Sequence, residues 1–253
     1  MTAPAPGPVR VLVVEHDAGC PPALLGEWLT AAGASLDVRR PAQGDELPRS
    51  LDDHRALLVL GGPQDADDPA HAWFAPTRAL VREGADRGTP VLGVCLGHQL
   101  AALALGARTG RNPAGQQVGL LPVGWTPQAA GDPLLGGLAA GPARGVHWND
   151  DIVLEVPTGA TVLARAPGGE VQALRLAPTV WGVQWHPEVD EPILRRWAEE
   201  DAERHLERGV DQEAALAEVA AARAELEATW RGLAVRLVAL AREAAARPAG
   251  EWA

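Results

Sequence analysis

The first half of the chain alternates short apolar runs with longer segments in which apolar residues recur every three or four positions. Such short runs predict buried strands, and the longer segments predict amphipathic helices. The predicted strands lie at Val9–Val14, at Ser35–Arg39, within Arg55–Pro63 and just before Cys95. The predicted helices lie near Ala23–Ala32, near Ala72–Arg87 and over the Leu/Ala-rich stretch after Cys95. This alternation predicts an α/β fold with a doubly wound, mostly parallel sheet, which binds ligands at the carboxyl ends of its strands.

The pattern changes between Val118 and Gln184, where shorter apolar segments are separated by Gly/Pro-rich loops. This spacing predicts a mainly β, partly antiparallel region. The sequence thus predicts one α/β domain over residues 1–191.

After Pro192 the chain is rich in Ala, Glu, Arg and Leu, which predicts two helices, Pro192–Arg208 and Gln212–Ala246. They form a predicted C-terminal helical extension, residues 192–253. The second helix carries an apolar stripe at Leu216, Val219, Leu226, Trp230, Leu233, Leu237 and Leu240. A stripe of this kind must be covered. Two coverings remain open: the chain's own domain, or an interface with a partner subunit or in a homodimer.

Composition narrows the choice of partners. The 253 residues carry a formal net charge of -11, which excludes nucleic acid and anionic membranes as predicted partners. All 22 basic residues are arginine, so the chain has no P-loop lysine. There are two cysteines, no apolar stretch of the roughly 18 residues that a membrane span needs, and no apolar signal core at the start. We therefore expect a cytoplasmic, reduced protein.

Cys95 lies where a predicted strand turns into a predicted helix, in the segment GTPVLGVCLGHQLAALALG. Gly93 and Gly97 flank it in a G-x-C-x-G pattern, the thiol counterpart of the G-x-S-x-G nucleophile elbow. A free cysteine is often only a small buried hydrophobe. The two glycines, the helix N-terminus and the polar residues His98 and Gln99 favour a nucleophile instead.

A thiol nucleophile needs a base, an orienting group and donors for the oxyanion. His186 and Glu188 of WGVQWHPEV follow a predicted strand, and we predict that they are the base and its orienting carboxylate. Alone, this tripeptide is more often a surface turn. For the oxyanion hole we predict the backbone N–H groups of Leu96 and of Gly62 in LGGP, although that glycine pair is equally compatible with a simple turn.

The motifs GVCLGHQL, LGGP and QWHPE, in this order, resemble those of class I glutamine amidotransferases of the cysteine triad type. The likeness extends over roughly Val9 to Trp197 and is greatest to the stand-alone, GMP-synthase-like members. It implies that Cys95 attacks the side-chain amide of glutamine, that His186 moves the proton and that Glu188 orients His186. It also implies a substrate site, formed by Gly61, Gln99, Trp148, Asn149 and Asp150 together with the backbone of Leu96.

The chain departs from this family's pattern at two places. Asn149, Asp150 and Asp151, in a predicted loop HWNDD, replace the usual His-Gly-Asp, and Gln117 begins a Gln-Val-Gly in place of Glu-Ile-Gly. Both departures bear on the choice of substrate rather than on the nucleophile.

Three functions follow as alternatives. The first is a glutaminase that supplies ammonia to a separate synthase; the second is a free-standing hydrolase of γ-glutamyl amides or peptides; the third is a catalytically silent binding or regulatory protein. No cofactor is predicted. No metal is predicted either, because the remaining histidines lack metal-ligand spacing; they are His16, His54, His71, His98 and His205. His98 is predicted to be structural.

Overall fold

The computed structural model describes residues 7–246. Its main sheet has seven strands in the order β2-β1-β3-β4-β11-β10-β9. The strands are β1 (Val9–Val14), β2 (Ala34–Arg39), β3 (Ala56–Val59), β4 (Val91–Val94), β5 (Arg108–Arg111), β6 (Gln117–Pro122), β7 (Arg144–Asn149), β8 (Asp151–Glu155), β9 (Thr161–Arg165), β10 (Val171–Ala177) and β11 (Val180–Val183). The helices are α1 (Ala23–Ala31), α2 (Phe74–Arg87), α3 (Leu96–Ala104), α4 (Glu191–Glu200), α5 (Ala202–Glu207), α6 (Gln212–Ala221) and α7 (Arg223–Ala246).

The predicted mostly parallel sheet is confirmed. Strands β2, β1, β3, β4 and β11 run parallel, and β10 and β9 continue the sheet in antiparallel pairing. Because β3, β4 and β11 are neighbours, the residues that follow them meet at one edge of the sheet. The segments after these strands contain the glycine pair, Cys95 and His186.

The sheet is covered on both faces, as its buried apolar strands require. In β1, Val11 and Val13 contribute to the core on one face, while Leu12 and Val14 contribute to the core on the other. Helices α1 and α7 supply side chains to the first core, and α2 and α3 supply side chains to the second. The fold is therefore three-layered and doubly wound.

Each predicted C-terminal helix is in fact two helices, so the two single-helix predictions were wrong. The first is interrupted at Asp201, with φ -99° and ψ 5°, and the second at Ala222, with φ -90° and ψ 3°. Ala222 is buried, and its N–H donates to both Glu218 and Val219 carbonyls. No Gly or Pro marks either break, because tertiary packing rather than local propensity places it.

The apolar stripe of α6 and α7 packs on the chain's own core. Val219, Leu226, Trp230, Leu233 and Leu237 are buried in the core on the α1 side of the sheet, and Leu216 and Leu240 are partly buried against it. The large hydrophobic side chains exposed within residues 7–246 are Leu206 and Val235. The homodimer and the division at residue 191 stay predictions.

The segment HWNDD is a strand, a single connecting residue and a second strand, so the predicted loop was wrong. His147 and Asn149 end β7, Asp150 connects, and Asp151 begins β8. β7 pairs with β6 and β8 pairs with β5, both antiparallel. His147 and Asn149 are buried between more exposed neighbours, which is the period of a strand. Buried glutamines supply their hydrogen-bond partners, so a polar sequence forms an internal strand.

Of the helices described within residues 7–246, none combines the length and the apolar character needed to cross a bilayer.

Candidate active site

Cys95 lies on the sharp turn between β4 and α3. Its backbone has φ 50° and ψ -109°, a conformation that non-glycine residues rarely adopt and that is concentrated at functional sites. The Cys95 N–H donates to the Val183 carbonyl at 2.9 Å, which ties the turn to β11. Leu96 is the first residue of α3, where backbone N–H groups have no partner within the helix. The strained turn thus places the thiol beside free helical N–H donors.

The flanking glycines make this turn possible because backbone crosses them at close range. A Cβ atom on Gly93 would lie 2.3 Å from the Gly97 carbonyl oxygen, and one on Gly97 would lie 2.0 Å from the Val59 carbonyl oxygen. Neither backbone atom can move away cheaply, since β3 is a central strand. The G-x-C-x-G pattern is therefore a requirement of packing as well as of conformation.

We expect Gly97→Ala to lower the free energy of unfolding by about 3 kcal/mol, because an added methyl in a packed position forces the backbone apart. Denaturant unfolding monitored by tryptophan fluorescence measures this. The control is Gly137→Ala, where the new Cβ would have no atom within 4 Å. A Gly97→Ala protein as stable as the wild type would contradict the close contact between α3 and β3.

His186 and Glu188 form a buried pair after β11. His186 Nδ1 lies 2.6 Å from Glu188 Oε1, and both residues are almost completely buried. The Trp197 ring packs edge-on against the imidazole, with centroids 4.7 Å apart. Burial lowers the pKa of His186, but the charges of Glu188 and Cys95 outweigh burial and raise its pKa above the ordinary value. The imidazolium is thus favoured when a thiolate lies beside it.

The predicted nucleophile and base are neighbours. A Cβ atom on Gly61 would lie 3.0 Å from His186 Cε1 and 3.6 Å from Cys95 Cβ. Only a glycine leaves the imidazole and the thiol free to approach at this point. A Cβ atom on Gly62 would lie 3.0 Å from Leu96 Cδ2, so the two predicted oxyanion donors belong to adjacent segments.

Most of the predicted residues line one cavity of about 320 Å³. Its wall includes Cys95, His186, Gly62, Gln99, Trp148, Asn149 and Asp150. Glu188 lies behind His186, Leu96 is buried beside Gly62, and Gly61 separates His186 from Cys95. The cavity is thus open to a ligand that reaches the sulfur.

The extra carboxylate in the cavity wall is neutralised by the C-terminal helices. Asp150 accepts hydrogen bonds from Arg208 Nη1 at 2.6 Å and from Arg204 Nη1 at 3.2 Å. Trp148 Nε1 donates to Asp201 Oδ2 at 2.8 Å. Segment α4–α5 therefore holds the strand end that the resemblance assigns to substrate binding.

The two departures from the family's pattern meet in the structure. Asn149 Nδ2 lies 3.4 Å from Gln117 Oε1, and Gln172 Nε2 donates to the same oxygen at 3.0 Å. Gln172 Oε1 in turn lies 2.7 Å from His147 Nε2. This part of the site is therefore a buried network of neutral amides.

Sequence reasoning missed two kinds of site residue. Gln184 stands inside the quoted motif QWHPE, yet its side chain contacts Cys95, which the motif alone did not reveal. Cys20, Trp197, Asp201 and Arg204 also line the cavity. No local signal marks these four, because they reach the cavity only through the tertiary fold.

The other elbow histidine is neutral. His98 is completely buried, and burial lowers its pKa to about 3. A Cβ on Gly182 would lie 2.0 Å from His98 Nδ1, so the ring packs directly on β11. Within residues 7–246, no group of three or more His, Cys, Asp or Glu side chains is placed to hold a metal ion.

The family model for class-I glutamine amidotransferases matches residues 24–192. This stretch is more than half of the chain and includes the elbow, the glycine pair and the His186–Glu188 pair. The chain belongs to the class-I glutamine amidotransferase family. The resemblance predicted from the three motifs is thereby confirmed.

Named relatives of this amidotransferase differ in what they do. It is 40% identical over 154 residues to the glutamine-hydrolyzing GMP synthase of Aeropyrum pernix, a match that covers 58% of this chain and 26% of that enzyme. The chain thus spans about a quarter of this relative. It is 29% identical over 172 residues to gamma-glutamyl peptidase 5 of Arabidopsis thaliana, covering 64% of this chain and 65% of the relative.

A glutamine amidotransferase of Thermotoga maritima, known from its crystal structure, has the same fold. It superposes with a TM-score of 0.81 at 24% identity, covering 91% of this chain and 98% of the other. The fold of the class-I amidotransferases therefore extends well beyond residue 192, into the C-terminal helices.

Proposed function

We propose that this amidotransferase hydrolyses the side-chain amide of glutamine through a γ-glutamyl thioester on Cys95 and releases ammonia for a separate synthase. One observation carries the proposal. A thiol on a strained elbow shares a cavity with an imidazole, and that imidazole is held at 2.6 Å by a buried carboxylate.

The chemistry follows from this arrangement. The Cys95 thiolate attacks the amide carbon, and the N–H groups of Leu96 and Gly62 stabilise the oxyanion that forms. His186, protonated and steadied by Glu188, gives its proton to the leaving nitrogen as the C–N bond breaks. Ammonia departs and a thioester remains. Water then attacks the thioester while His186 takes its proton, and the C–S bond breaks to release glutamate and restore the Cys95 thiolate–His186 imidazolium pair.

A separate synthase is proposed because the Aeropyrum relative combines glutamine hydrolysis with GMP synthesis, while this chain matches 26% of that enzyme. Both cysteines are free thiols. A nucleophile of this kind must stay reduced, so we infer that the reaction takes place in the cytoplasm.

The test is incubation of the full chain with glutamine, measurement of glutamate and ammonia, and acid quenching followed by peptide mass spectrometry. We expect a γ-glutamyl adduct on the Cys95 peptide and none on Cys20. Cys20 is an internal control, because burial raises its pKa above the ordinary thiol value while it lines the same cavity. Glutamine that binds without ever forming an adduct would favour the silent alternative.

A second candidate is a free-standing hydrolase of γ-glutamyl amides or peptides. It is favoured by the relative named gamma-glutamyl peptidase 5 and by a cavity of about 320 Å³, whose wall extends to Arg111 and Arg204 beyond the sulfur. The same assay with γ-glutamyl amides distinguishes the two. Faster turnover of these amides than of glutamine, with no partner present, would support the hydrolase.

A further inference from the structure

A buried amide contacts the sulfur of Cys95 from the side of β11. Gln184 follows β11 directly, is 0% exposed, and its Nε2 lies 3.5 Å from Cys95 Sγ. Its backbone is held firmly, because the Gln184 N–H donates to the Gln172 carbonyl at 2.8 Å and the adjacent Val183 carbonyl accepts from the Cys95 N–H at 2.9 Å. The side chain therefore cannot move away from the sulfur without breaking the end of the strand.

The orientation of this amide is determined by its neighbours. Amide oxygen and nitrogen are distinguished by the partners that each one meets. The Asp151 backbone carbonyl only accepts hydrogen bonds, so the Gln99 atom 2.9 Å from it must be the nitrogen. That same Gln99 nitrogen lies 3.4 Å from the Gln184 side chain, which must therefore turn its oxygen toward Gln99. Gln184 Nε2 is left to face the sulfur.

We propose that Gln184 is a further catalytic residue, whose amide N–H donates to Cys95 Sγ and stabilises the thiolate over the thiol. A thiolate is the stronger acceptor, so a donor fixed in this direction favours ionisation. The donor is neutral and adds to the attraction between the thiolate and His186. Because Asp151 and Gln99 fix its direction, the ionisation of the nucleophile depends on the strand end that lies in the substrate cavity.

This inference rests on the proposed nucleophile, but its test needs no substrate. The rate of Cys95 alkylation by iodoacetamide is measured against pH in the full chain, with mass spectrometry to separate Cys95 from Cys20. We expect Gln184→Met to raise the midpoint of this profile by about one pH unit, the value of one hydrogen bond to a charged group.

The matched control is Gln172→Met. Gln172 is also 0% exposed, lies on the neighbouring strand β10, and hydrogen-bonds Gln117 and His147 rather than Cys95. We expect it to leave the midpoint of the Cys95 profile unchanged, whatever it costs in stability. Equal shifts in both variants would overturn the inference, since they would show a general effect of losing a buried amide.

Gln184→Glu covers the case in which the methionine variant does not fold, since it keeps the size of the side chain. Its carboxylate cannot donate when ionised and repels the thiolate, so we expect a rise of about one to three units. An unchanged midpoint in either variant overturns the role of Gln184. A chain that alkylates as expected but never hydrolyses glutamine would contradict the proposed function and leave this inference standing.

Discussion

Cys95→Ala is expected to lower glutamine turnover by about 10⁴-fold or more, because loss of the nucleophile leaves only binding and oxyanion stabilisation. Alanine keeps the same Cβ atom at φ 50°, so the elbow carries no new strain and the fold should be retained. Steady-state glutamate release measures the loss, and thermal unfolding checks the fold. Cys95→Ala turnover within tenfold of the wild type would show that the thiol forms no intermediate.

Glu188→Gln is expected to lower kcat by about 100-fold or more, within the range of general acid–base catalysis. The glutamine oxygen can still accept from His186 Nδ1, so the ring should stay in place while the charge is lost. Glu188 Oε2 is buried without a hydrogen-bond partner among the described residues, and an amide nitrogen there would be left unsatisfied.

The pH profile separates loss of charge from loss of structure. Because the Glu188 charge helps to raise the pKa of His186, its removal lowers that pKa, and the imidazolium is lost at a lower pH. The alkaline limb of kcat/KM should therefore move toward lower pH in Glu188→Gln. Asp37→Asn is the control, because Asp37 also holds a buried histidine, with Oδ2 2.9 Å from His54 Nε2, far from the cavity. If both variants lose the same activity, the effect of Glu188 is one of stability alone.

The C-terminal helices show where sequence reasoning falls short. The apolar stripe correctly indicated one buried face, but the interruption at Ala222 carries no Gly or Pro. A non-local contact decided it, since Val219 on α6 and Trp230 on α7 both enter the core on the α1 side of the sheet. Similarly, the polar segment HWNDD suggested a loop because its buried partners, Gln172 and Gln117, are distant in sequence.

The amino-acid sequence by itself determined the alternation of strands and helices, the elbow at Cys95 and the family, since these depend on local pattern and on motifs a few residues long. Tertiary structure decided which side chains meet at the sulfur. Cys95, His186 and Gly61 lie far apart along the chain and are brought together because β3, β4 and β11 are neighbours in a parallel sheet. Gln184 and the C-terminal wall of the cavity were likewise visible only in three dimensions, because hydrogen bonds between distant segments leave no local periodicity in the sequence.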